Sequence, residues 1–516
     1  MLNYWITALV ACTFLHVATP SLAQIPAPIG ISSGDVQGVV EQGIHVFRGI
    51  PYAAPPTGEL RWRAPKPMHA WQGVRPAQKF GPFCPQNAPS VGDAPLGDMS
   101  EDCLTLNIWT PSINEDVGLP VMVWIHGGGY LVGSGAEPHY TGSAFAKKGV
   151  VFVTINYRLG VLGFFAHPAL SASQDDEPLG NYGLMDQIAA LEWVQENIAA
   201  FGGDPNNVTI FGESAGAGSV IYLMVATSAA GLFHRAISQS SAVGLQPDPF
   251  LKQPSGRRLA VEEQGEILAS GMELDQESDV IAAMRQASFD ELLKVVDPRV
   301  QPRPLVDGQI IIDKVSTLFS QGKQRDVPYL AGGNSWEASL GYAVGGGFSP
   351  TLRARAMTPE TATRLYGDFD ATGAIDQWFG DTVILTPTRY LATQMRNVTS
   401  PAYLYHLSYL TESRRGKQPG VAHGDDIPYI FQTMDIVFDE VSDRDRKVSD
   451  LMNAYWIQFA KTGNPNRKGL PEWPEYSREL DTLLEISDEV KVRQGYLAER
   501  WDFHEKLSLE RLSPAD

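Results

Sequence analysis

Apolar residues in this chain cluster in short continuous runs that are separated by glycine and polar residues. Three of these runs, at 121–125, 208–211 and 402–407, each predict a buried β-strand. The run at 208–211 is followed by a glycine-bounded turn and then by residues 217–225, which predict a helix. This part of the chain therefore predicts a strand, a sharp turn and a helix in direct succession.

Two more segments extend the pattern towards the C-terminus. Residues 328–334 predict a strand that ends in a loop, and residues 448–462 have the periodicity of a helix with one apolar face. No long Gly/Ser tract, charge block or internal repeat interrupts the chain. With 43% hydrophobic and 19% charged residues, the chain has the composition of a globular protein with a sizeable core. We therefore predict one large α/β domain over residues 24–516.

The turn after the run at 208–211 has the sequence Gly212-Glu213-Ser214-Ala215-Gly216. A G-x-S-x-G elbow needs small residues beside the serine because its backbone is strained and other chain passes close by. The turn lifts the serine hydroxyl out of the sheet, and the helix that follows directs backbone N–H groups at developing negative charge. The pattern predicts Ser214 as a catalytic nucleophile.

A glycine run follows the predicted strand at 121–125, in the sequence His126-Gly127-Gly128-Gly129-Tyr130. Glycines at the end of a strand let the backbone approach a substrate closely with its amides exposed. The alternative is a flexible turn with no chemical role. Because the run lies upstream of a nucleophile elbow, we interpret it as an oxyanion-binding segment.

Together with further segments, these motifs resemble the type-B carboxylesterases, the cholinesterase-like branch of the α/β-hydrolases. The further matching segments are 47–53, 101–108, 156–160, 201–205 and 460–465. The resemblance therefore extends from near residue 31 to the 470s. It implies an α/β-hydrolase fold, in which helices flank a large central, mostly parallel twisted sheet. Long loop and helical insertions form an active-site gorge in such proteins.

The resemblance also implies a Ser-Glu-His triad, in the chain order of α/β-hydrolases. Glu337 follows the predicted strand at 328–334 in a G-x-N-x-x-E arrangement, and His423 lies in the family's histidine motif at 420–428. His423 would act as the general base, and Glu337 would orient its imidazole. His406, inside a predicted strand, and His126, inside the glycine motif, are expected to be structural.

The resemblance assigns supporting roles to five more residues. The backbone N–H groups of Gly128, Gly129 and Ala215 would bind the oxyanion, and Ser240 would support the glutamate from behind. Tyr130, at the end of the glycine run, is a candidate for substrate contact.

The first residues of the chain predict an exported protein. Residues 6–18 are mostly apolar and residues 21–23 offer small side chains for cleavage after Ala23, which is typical of a secretory signal peptide over residues 1–23, although no Lys or Arg precedes the apolar stretch. Lipidation at Cys12 is the less favoured alternative. After signal removal Cys84 and Cys103 remain, and the family pairs cysteines at these places in a disulfide. We predict a secreted or periplasmic protein without an integral membrane segment.

The substrate is less well defined by the sequence. Residues 85–100 contain no aromatic side chain, so this loop offers no cation–π site for a choline ester. Arg414 and Arg415 lie in a basic loop upstream of His423 and are candidates for binding a carboxylate. Some bacterial relatives remove tricarballylate from fumonisin toxins, so esters of polycarboxylic acids are a hypothesis. A solvated loop without function is the alternative.

Composition excludes some classes of protein and leaves others open. A formal net charge of −19 argues against a nucleic-acid partner, whose phosphates would be repelled. We see no metal-ligand spacing, and the glycines at 345–347 lack the lysine of a phosphate-binding loop, so we expect no cofactor and no metal. The expected partner is a small-molecule ester. Lipase, amidase and non-catalytic binding module remain alternative functions.

Overall fold

A computed structural model of the chain describes residues 25–87, 97–174, 177–343, 358–367 and 371–512. The predicted signal peptide at 1–23, with Cys12, and the glycine run at 345–347 lie outside the described residues. Among the helices within those ranges, none has the length and apolar character needed to cross a bilayer.

The described strands number fourteen and fall into two sheets. In chain order they are β1 Ile29–Ile31, β2 Gly34–Gln37, β3 Val39–Glu41, β4 Ile44–Pro51, β5 Val74–Pro76, β6 Thr105–Thr110, β7 Leu119–Ile125, β8 Val151–Ile155, β9 Gly203–Glu213, β10 Arg235–Gln239, β11 Tyr329–Asn334, β12 Ala402–Leu407, β13 Thr482–Ile486 and β14 Val490–Gln494. A small sheet has the order β1-β2-β5, and the eleven-stranded main sheet has the order β14-β13-β12-β11-β10-β9-β7-β8-β6-β4-β3.

The centre of the main sheet is parallel and its edges are antiparallel. Strands β8, β7, β9, β10, β11, β12 and β13 pair in parallel, whereas β6, β4 and β3 at one edge and β14 at the other pair antiparallel. The central strands are buried on both faces, which explains their continuous apolar runs. The predicted α/β fold with a large, mostly parallel sheet is confirmed.

Helices cover the faces of the main sheet. They are α1 Ser143–Ala146, α2 Gly160–Gly163, α3 Pro168–Ser173, α4 Tyr182–Asn197, α5 Ala215–Val225, α6 Val261–Gly271, α7 Val280–Gln286, α8 Phe289–Lys294, α9 Val315–Ser320, α10 Ser339–Ala343, α11 Pro359–Tyr366, α12 Ala371–Gly380, α13 Thr386–Gln394, α14 Ile427–Phe431, α15 Met434–Val437, α16 Asp443–Thr462 and α17 Ala498–Leu512. Short 3-10 helices lie at Gly58–Leu60, Glu115–Val117, Pro138–Tyr140, Ile198–Phe201, Thr227–Ala229, Met395–Asn397 and Glu412–Arg414, and a π-turn lies at Asp381–Leu385.

The helix predicted at 448–462 is α16, and it begins earlier than its apolar periodicity indicates. Ser442 caps it by accepting a hydrogen bond from the N–H of Asp445, so the first turn is polar and escapes an apolar pattern. Tyr455 and Phe459 are fully buried against one face of the main sheet, whereas Leu451 is only partly buried.

Candidate active site

The elbow at Ser214 connects β9 directly to α5. Ser214 has a φ of 56° and a ψ of −120°, a backbone conformation that non-glycine residues rarely adopt. The carbonyl of Gln239 holds this strained residue by accepting a hydrogen bond from its N–H at 2.9 Å. The helix begins at Ala215 and not at residue 217, because Ala215 and Gly216 of the turn motif are already helical.

The two flanking glycines of the elbow are required by close backbone approach. A methyl group placed on Gly212 would lie 2.6 Å from the carbonyl oxygen of Ile125, and one placed on Gly216 would lie 2.0 Å from the same atom. Both distances are shorter than any carbon–oxygen contact between non-bonded atoms. The end of β7 therefore passes so close to the elbow that any side chain would displace it.

A relay of hydrogen bonds joins Ser214, His423 and Glu337. Nε2 of His423 lies 2.8 Å from Oγ of Ser214, and Nδ1 of His423 lies 2.6 Å from Oε2 of Glu337. The three residues follow β9, β12 and β11, whose carboxyl ends meet at one edge of the sheet. A serine hydroxyl bonded to an imidazole that a carboxylate orients can act as a nucleophile.

The carboxylate of Glu337 is fully buried and held by several donors. Ser240, which follows β10, donates its hydroxyl to Oε1 of Glu337 at 2.7 Å, and the N–H of Asn334 donates to the same oxygen at 2.6 Å. The N–H of His423 donates to Oγ of Ser339 at 2.7 Å, which holds the histidine loop against α10. Sequence reasoning missed Asn334 and Ser339, although Asn334 is part of the G-x-N-x-x-E arrangement.

A second carboxylate, that of Glu213, also faces the histidine. Its Oε1 lies 3.3 Å from Nε2 of His423 and has no hydrogen-bond partner among the described residues. Burial raises the pKa of Glu213, and the positive charge of a protonated His423 opposes that shift. Burial by itself would lower the pKa of His423, but the carboxylates of Glu213 and Glu337 outweigh burial and raise it. The sequence signal for Glu213 was its place inside the elbow motif.

Asp426 anchors the loop that carries His423. It is fully buried, and its Oδ2 accepts a hydrogen bond from Nε2 of Gln239 at 2.7 Å. Its Oδ1 accepts from Nδ2 of Asn334 at 3.3 Å. Burial raises the pKa of Asp426 to about 6. These bonds tie the histidine loop to the ends of β10 and β11, which carry Ser240 and lead to Glu337.

The glycine run at the end of β7 lies against the elbow. A methyl group on Gly127 would be 3.2 Å from Cβ of Ser214. Gly128 and Gly129 have φ angles of 99° and 64°, and among the described residues neither donates its N–H to another group. The N–H of Ala215 is the first of α5 and has no acceptor within the helix. These three N–H groups are available to an oxyanion.

Tyr130 lies behind the glycine run. It is 7% exposed, and its hydroxyl lies against Gly218 of α5, where an added methyl group would be 2.5 Å away. Its ring packs edge-to-face on Phe164 at 5.3 Å. The side chain of Tyr130 is therefore packed in the protein interior, against Gly218 and Phe164.

The two histidines that the sequence predicts to be structural, His126 and His406, are buried and neutral. The ring of His126 stacks on Tyr157 at 4.4 Å, and His406 lies within β12. Burial lowers the pKa of each to about 4. Arg158 and Asp186 form a buried ion pair, with 2.7 Å between Nη2 and Oδ1.

The structure also contains the predicted disulfide and pairs the two candidate arginines. Cys84 and Cys103 are bonded, with their Cα atoms 5.1 Å apart. Arg414 forms an ion pair with Asp425 at 2.8 Å, and Arg415 forms one with Asp488 at 2.5 Å. Both guanidinium groups therefore have carboxylate partners within the protein. No group of three or more metal-ligating side chains occurs in the described part of the chain.

Comparisons with known proteins agree with this geometry. The Carboxylesterase family profile matches residues 25–351 and 369–504. The fumonisin B1 esterase of Sphingopyxis macrogoltabida is 37% identical over 94% of this chain and 92% of its own length. The para-nitrobenzyl esterase of Bacillus subtilis (strain 168) is 31% identical over 90% of this chain and 96% of its own length.

A solved structure and a mammalian relative extend the likeness. A PNB esterase structure superimposes with a TM-score of 0.75 at 31% identity, covering 92% of this chain and 99% of that one. Carboxylesterase 1C of Mus musculus is 32% identical over 98% of this chain and 97% of its own length. Because the family profile matches most of the chain and the relatives align over nearly their full length, this chain belongs to the carboxylesterase family and hydrolyses carboxylic esters.

Proposed function

We propose that the protein hydrolyses its ester through an acyl-enzyme at Ser214, with His423 as general base and Glu337 as its orienting carboxylate. The observation that supports this is the relay of 2.8 Å and 2.6 Å hydrogen bonds through the two nitrogens of His423. His423 takes the proton of Ser214 as the hydroxyl attacks the ester carbonyl, and returns it to the leaving alcohol. Water activated by the same imidazole then releases the acid.

The negative charge that develops on the carbonyl oxygen would be bound by the N–H groups of Gly128, Gly129 and Ala215. The unpaired state of the two glycine amides supports this assignment. Losing one such donor costs roughly 3 kcal/mol of transition-state stabilisation.

Ester hydrolysis by the purified mature chain, measured beside Ser214→Ala, tests the proposal. Loss of the serine in a comparable triad lowers kcat on the order of 10⁶-fold. We expect a similar loss here with an unchanged melting temperature, because the Ser214 side chain packs in no core. Substantial turnover by Ser214→Ala would refute the assignment of the nucleophile. A folded wild-type chain inert on short, long, choline and polycarboxylate esters would favour a binding module.

A second, narrower candidate is hydrolysis of polycarboxylate esters, such as the tricarballylate esters of fumonisins. A relative 37% identical carries the name fumonisin B1 esterase. The pairing of Arg414 and Arg415 with aspartates weakens their candidacy as carboxylate ligands, since a substrate would compete with a partner already in place. Tyr130, our other candidate for substrate contact, is nearly fully buried.

A different pair of arginines supports the polycarboxylate candidate better. Nε of Arg303 is buried without a hydrogen-bond partner, and no carboxylate of the described residues lies within ion-pair distance of it. Arg258 donates to Gln301, two residues away from Arg303, at 2.9 Å. Burial and the charge of Arg303 both lower the pKa of Arg258. Two guanidinium groups that repel each other would be relieved by a bound carboxylate.

The positive charge of Arg303 also acts on the hydroxyl of Tyr130, the residue that follows the glycine run. Burial raises the pKa of the Tyr130 hydroxyl, and the positive charge of Arg303 opposes that shift. An acyl group whose free carboxylates reached this arginine pair would meet a positive charge.

Two esters that differ in charge, an anionic tricarballylate ester and its neutral triester, test which arginine binds a substrate carboxylate. For Arg303→Gln we expect kcat/KM to fall roughly 10- to 100-fold on an anionic tricarballylate ester, the value of a charged hydrogen bond, and to stay unchanged on the neutral triester. Arg414→Gln and Arg415→Gln test the two original candidates, and we expect neither to change the preference for the anionic ester. Equal loss on both esters in Arg303→Gln would refute the polycarboxylate assignment.

We also propose that the protein acts outside the cytoplasm, as a single domain over residues 24–516 after removal of residues 1–23. The disulfide between Cys84 and Cys103 supports this location, because such bonds persist in oxidising compartments. Mass spectrometry of the protein exported by its host tests it. A mature chain that starts at Gln24 is expected, and an uncleaved chain retained in the cytoplasm would refute it.

A further inference from the structure

The helical segment at 371–394 contains a π-turn at the point where it passes the catalytic glutamate. Helix α12, the π-turn Asp381–Leu385 and helix α13 follow each other without a break. Pro387 lies early in α13 and has no N–H to donate to the carbonyl of Val383, so a regular α-helix cannot continue through this region. Single π-turns inside helices are frequent at functional sites.

This π-turn packs directly beside Glu337. A methyl group placed on Gly380 would lie 3.4 Å from Cβ of Glu337. One placed on Gly333 would lie 2.8 Å from Leu385 Cδ2, 2.9 Å from Glu337 Oε1 and 3.4 Å from Ile384 Cγ2. Ile384, Leu385 and the Glu337 carboxylate therefore all border the same small space beside Gly333.

Helix α12 also holds the two sides of the loop that carries Glu337. The indole N–H of Trp336 donates to Oδ2 of Asp376 at 3.1 Å, and the hydroxyl of Tyr342 donates to Oδ1 of the same residue at 2.8 Å. Nε2 of Gln377 donates to the carbonyl of Ser335 at 3.4 Å. A shift of this helical segment would thus be transmitted to the residues on both sides of Glu337.

The C-terminal helix α17 fixes the π-turn through one buried carboxylate, that of Asp381. Asp381 is fully buried, and its Oδ2 accepts a hydrogen bond from Nε of Arg500 at 2.7 Å. Its Oδ1 accepts from the indole of Trp501 at 3.0 Å, and Oδ2 accepts also from the hydroxyl of Tyr366 at 3.0 Å. Arg500 donates in addition to Oε1 of Gln377 at 2.8 Å.

His504 completes this network on the same helix. Its Nε2 lies 2.7 Å from the hydroxyl of Tyr366, and its Nδ1 lies 3.0 Å from Oγ1 of Thr382. Every atom is satisfied if Thr382 donates to Nδ1, Nε2–H donates to Tyr366 and Tyr366 donates to Asp381. A buried ion pair is weak evidence for stability, because apolar residues of the same size often stabilise a fold equally well.

We propose that helix α17 positions the catalytic glutamate: Arg500 and Trp501 hold Asp381, and Asp381 holds the π-turn, which follows Gly380 beside Glu337 and whose Ile384 and Leu385 border the same space at Gly333 as the Glu337 carboxylate. Arg500, Trp501 and Asp381 are positioning residues and touch no substrate. The inference rests on the proposed function, because it requires Glu337 to orient His423. Loss of the Arg500 contact would let Glu337 shift and weaken its hydrogen bond to the imidazole.

The test compares Arg500→Gln with Glu499→Gln, its neighbour on α17. Glu499 forms an exposed ion pair with Arg364 and, among the described residues, no hydrogen bond or ion pair with the π-turn, so its variant controls for a change of charge on the helix. A misplacement of a catalytic group by about 1 Å costs on the order of a hundredfold in rate. Arg500 acts on Glu337 only through the π-turn, so we expect Arg500→Gln to lower kcat by less, about tenfold, with KM unchanged. We also expect the acid limb of kcat/KM to move to lower pH, because a loosened Glu337 stabilises the protonated imidazole less.

A fall in melting temperature with kcat and the pH profile unchanged would show a merely structural contact and overturn the inference. If Arg500→Gln fails to fold, Trp501→Phe removes one donor to Asp381 and keeps the ring, and the same two readouts apply. Arg500→Lys, which keeps the charge, is expected to recover part of kcat. If the wild type and Glu499→Gln are active and Ser214→Ala is inactive, the proposed function holds even where the inference fails.

Discussion

Oε1 of Glu213 lies 3.3 Å from Nε2 of His423, the same nitrogen that lies 2.8 Å from Oγ of Ser214. Glu213 and Ser214, which are adjacent in the chain, thus both face Nε2 of His423, the proposed base. An ionised Glu213 favours the protonated imidazole, whereas a protonated Glu213 leaves the nitrogen to the serine. The two groups titrate as a coupled pair, which makes the state of Glu213 part of the proposed chemistry.

The pH dependence of catalysis should report this pair. Because the ionised carboxylate of Glu213 raises the pKa of His423, Glu213→Gln is expected to move the acid limb of kcat/KM to lower pH. Stopped assays on a neutral ester from pH 5 to 9 would measure it. Glu196→Gln, at an exposed position of α4, is the control. An acid limb that does not move would mean that Glu213 has no influence on the base.

The hydrogen bond between Ser240 and Glu337 should contribute to kcat. Ser240 donates to Oε1 at 2.7 Å inside a fully buried site, and a hydrogen bond to a charged group is worth about 1.5–3 kcal/mol. We expect Ser240→Ala to lower kcat roughly 10- to 100-fold with little change in KM. Ser240→Thr, which keeps the hydroxyl, is expected to retain more activity than alanine. Full activity of Ser240→Ala would leave Asn334 as the sufficient donor.

A pH-dependent stability is predicted from Glu137. Its side chain is buried, Oε1 has no hydrogen-bond partner among the described residues, and Oε2 lies 3.6 Å from Nε2 of His139. Burial raises the pKa of Glu137 from 4.5 to about 8 and lowers that of His139 to about 4, so both are neutral near pH 7. A raised folded pKa adds stability that is complete below about pH 4.5 and is lost as the pH rises through 8.

Glu137→Gln should remove that dependence. Relative to wild type, we expect its melting temperature to be higher at pH 8.5 than at pH 5, because glutamine cannot ionise in the buried site. Glu115→Gln, at an exposed position, provides the matched control. A constant difference in melting temperature between wild type and Glu137→Gln across this range would contradict the prediction.

The disulfide should stabilise the fold without taking part in catalysis. It joins residues separated by 19 positions, and the chain-entropy estimate for such a loop is about 3 kcal/mol. Denaturant unfolding of the Cys84→Ser/Cys103→Ser variant would measure this loss, while kcat of the folded variant should stay within about twofold of wild type. A reducing agent should destabilise only the wild type. Equal sensitivity of both proteins to the reducing agent would argue against the bond.

The strand–turn–helix at Ser214 could be predicted because its determinants are local. Gly212 and Gly216 mark the turn, and the apolar run before them marks the buried strand. The helix start at Ala215 was missed by two residues, since small residues serve a turn and a helix equally well. The polar first turn of α16 was missed because a capping serine has no apolar period.

The surroundings of His423 could not be predicted in the same way. The side chains of Ser214 and His423 are 209 residues apart, and their contact depends on the order of β9, β10, β11 and β12 in the sheet. Glu213 looked like an ordinary motif residue until the fold placed it against the imidazole. The basic loop at 411–417 looked free, because the aspartates that pair with its arginines come from other parts of the chain or of the fold.

The sequence by itself therefore determined which residues form the strands and the elbow, and in what order the candidate nucleophile, acid and base occur. Local steric demands and hydrophobic periodicity act over a few neighbouring residues, so they can be read along the chain. The tertiary structure decided which charges meet: Glu213 with His423, Arg414 with Asp425, and Arg500 with Asp381. Such contacts arise only when parallel strands and distant helices are packed together, because electrostatic interactions depend on distance in space and not on separation in sequence.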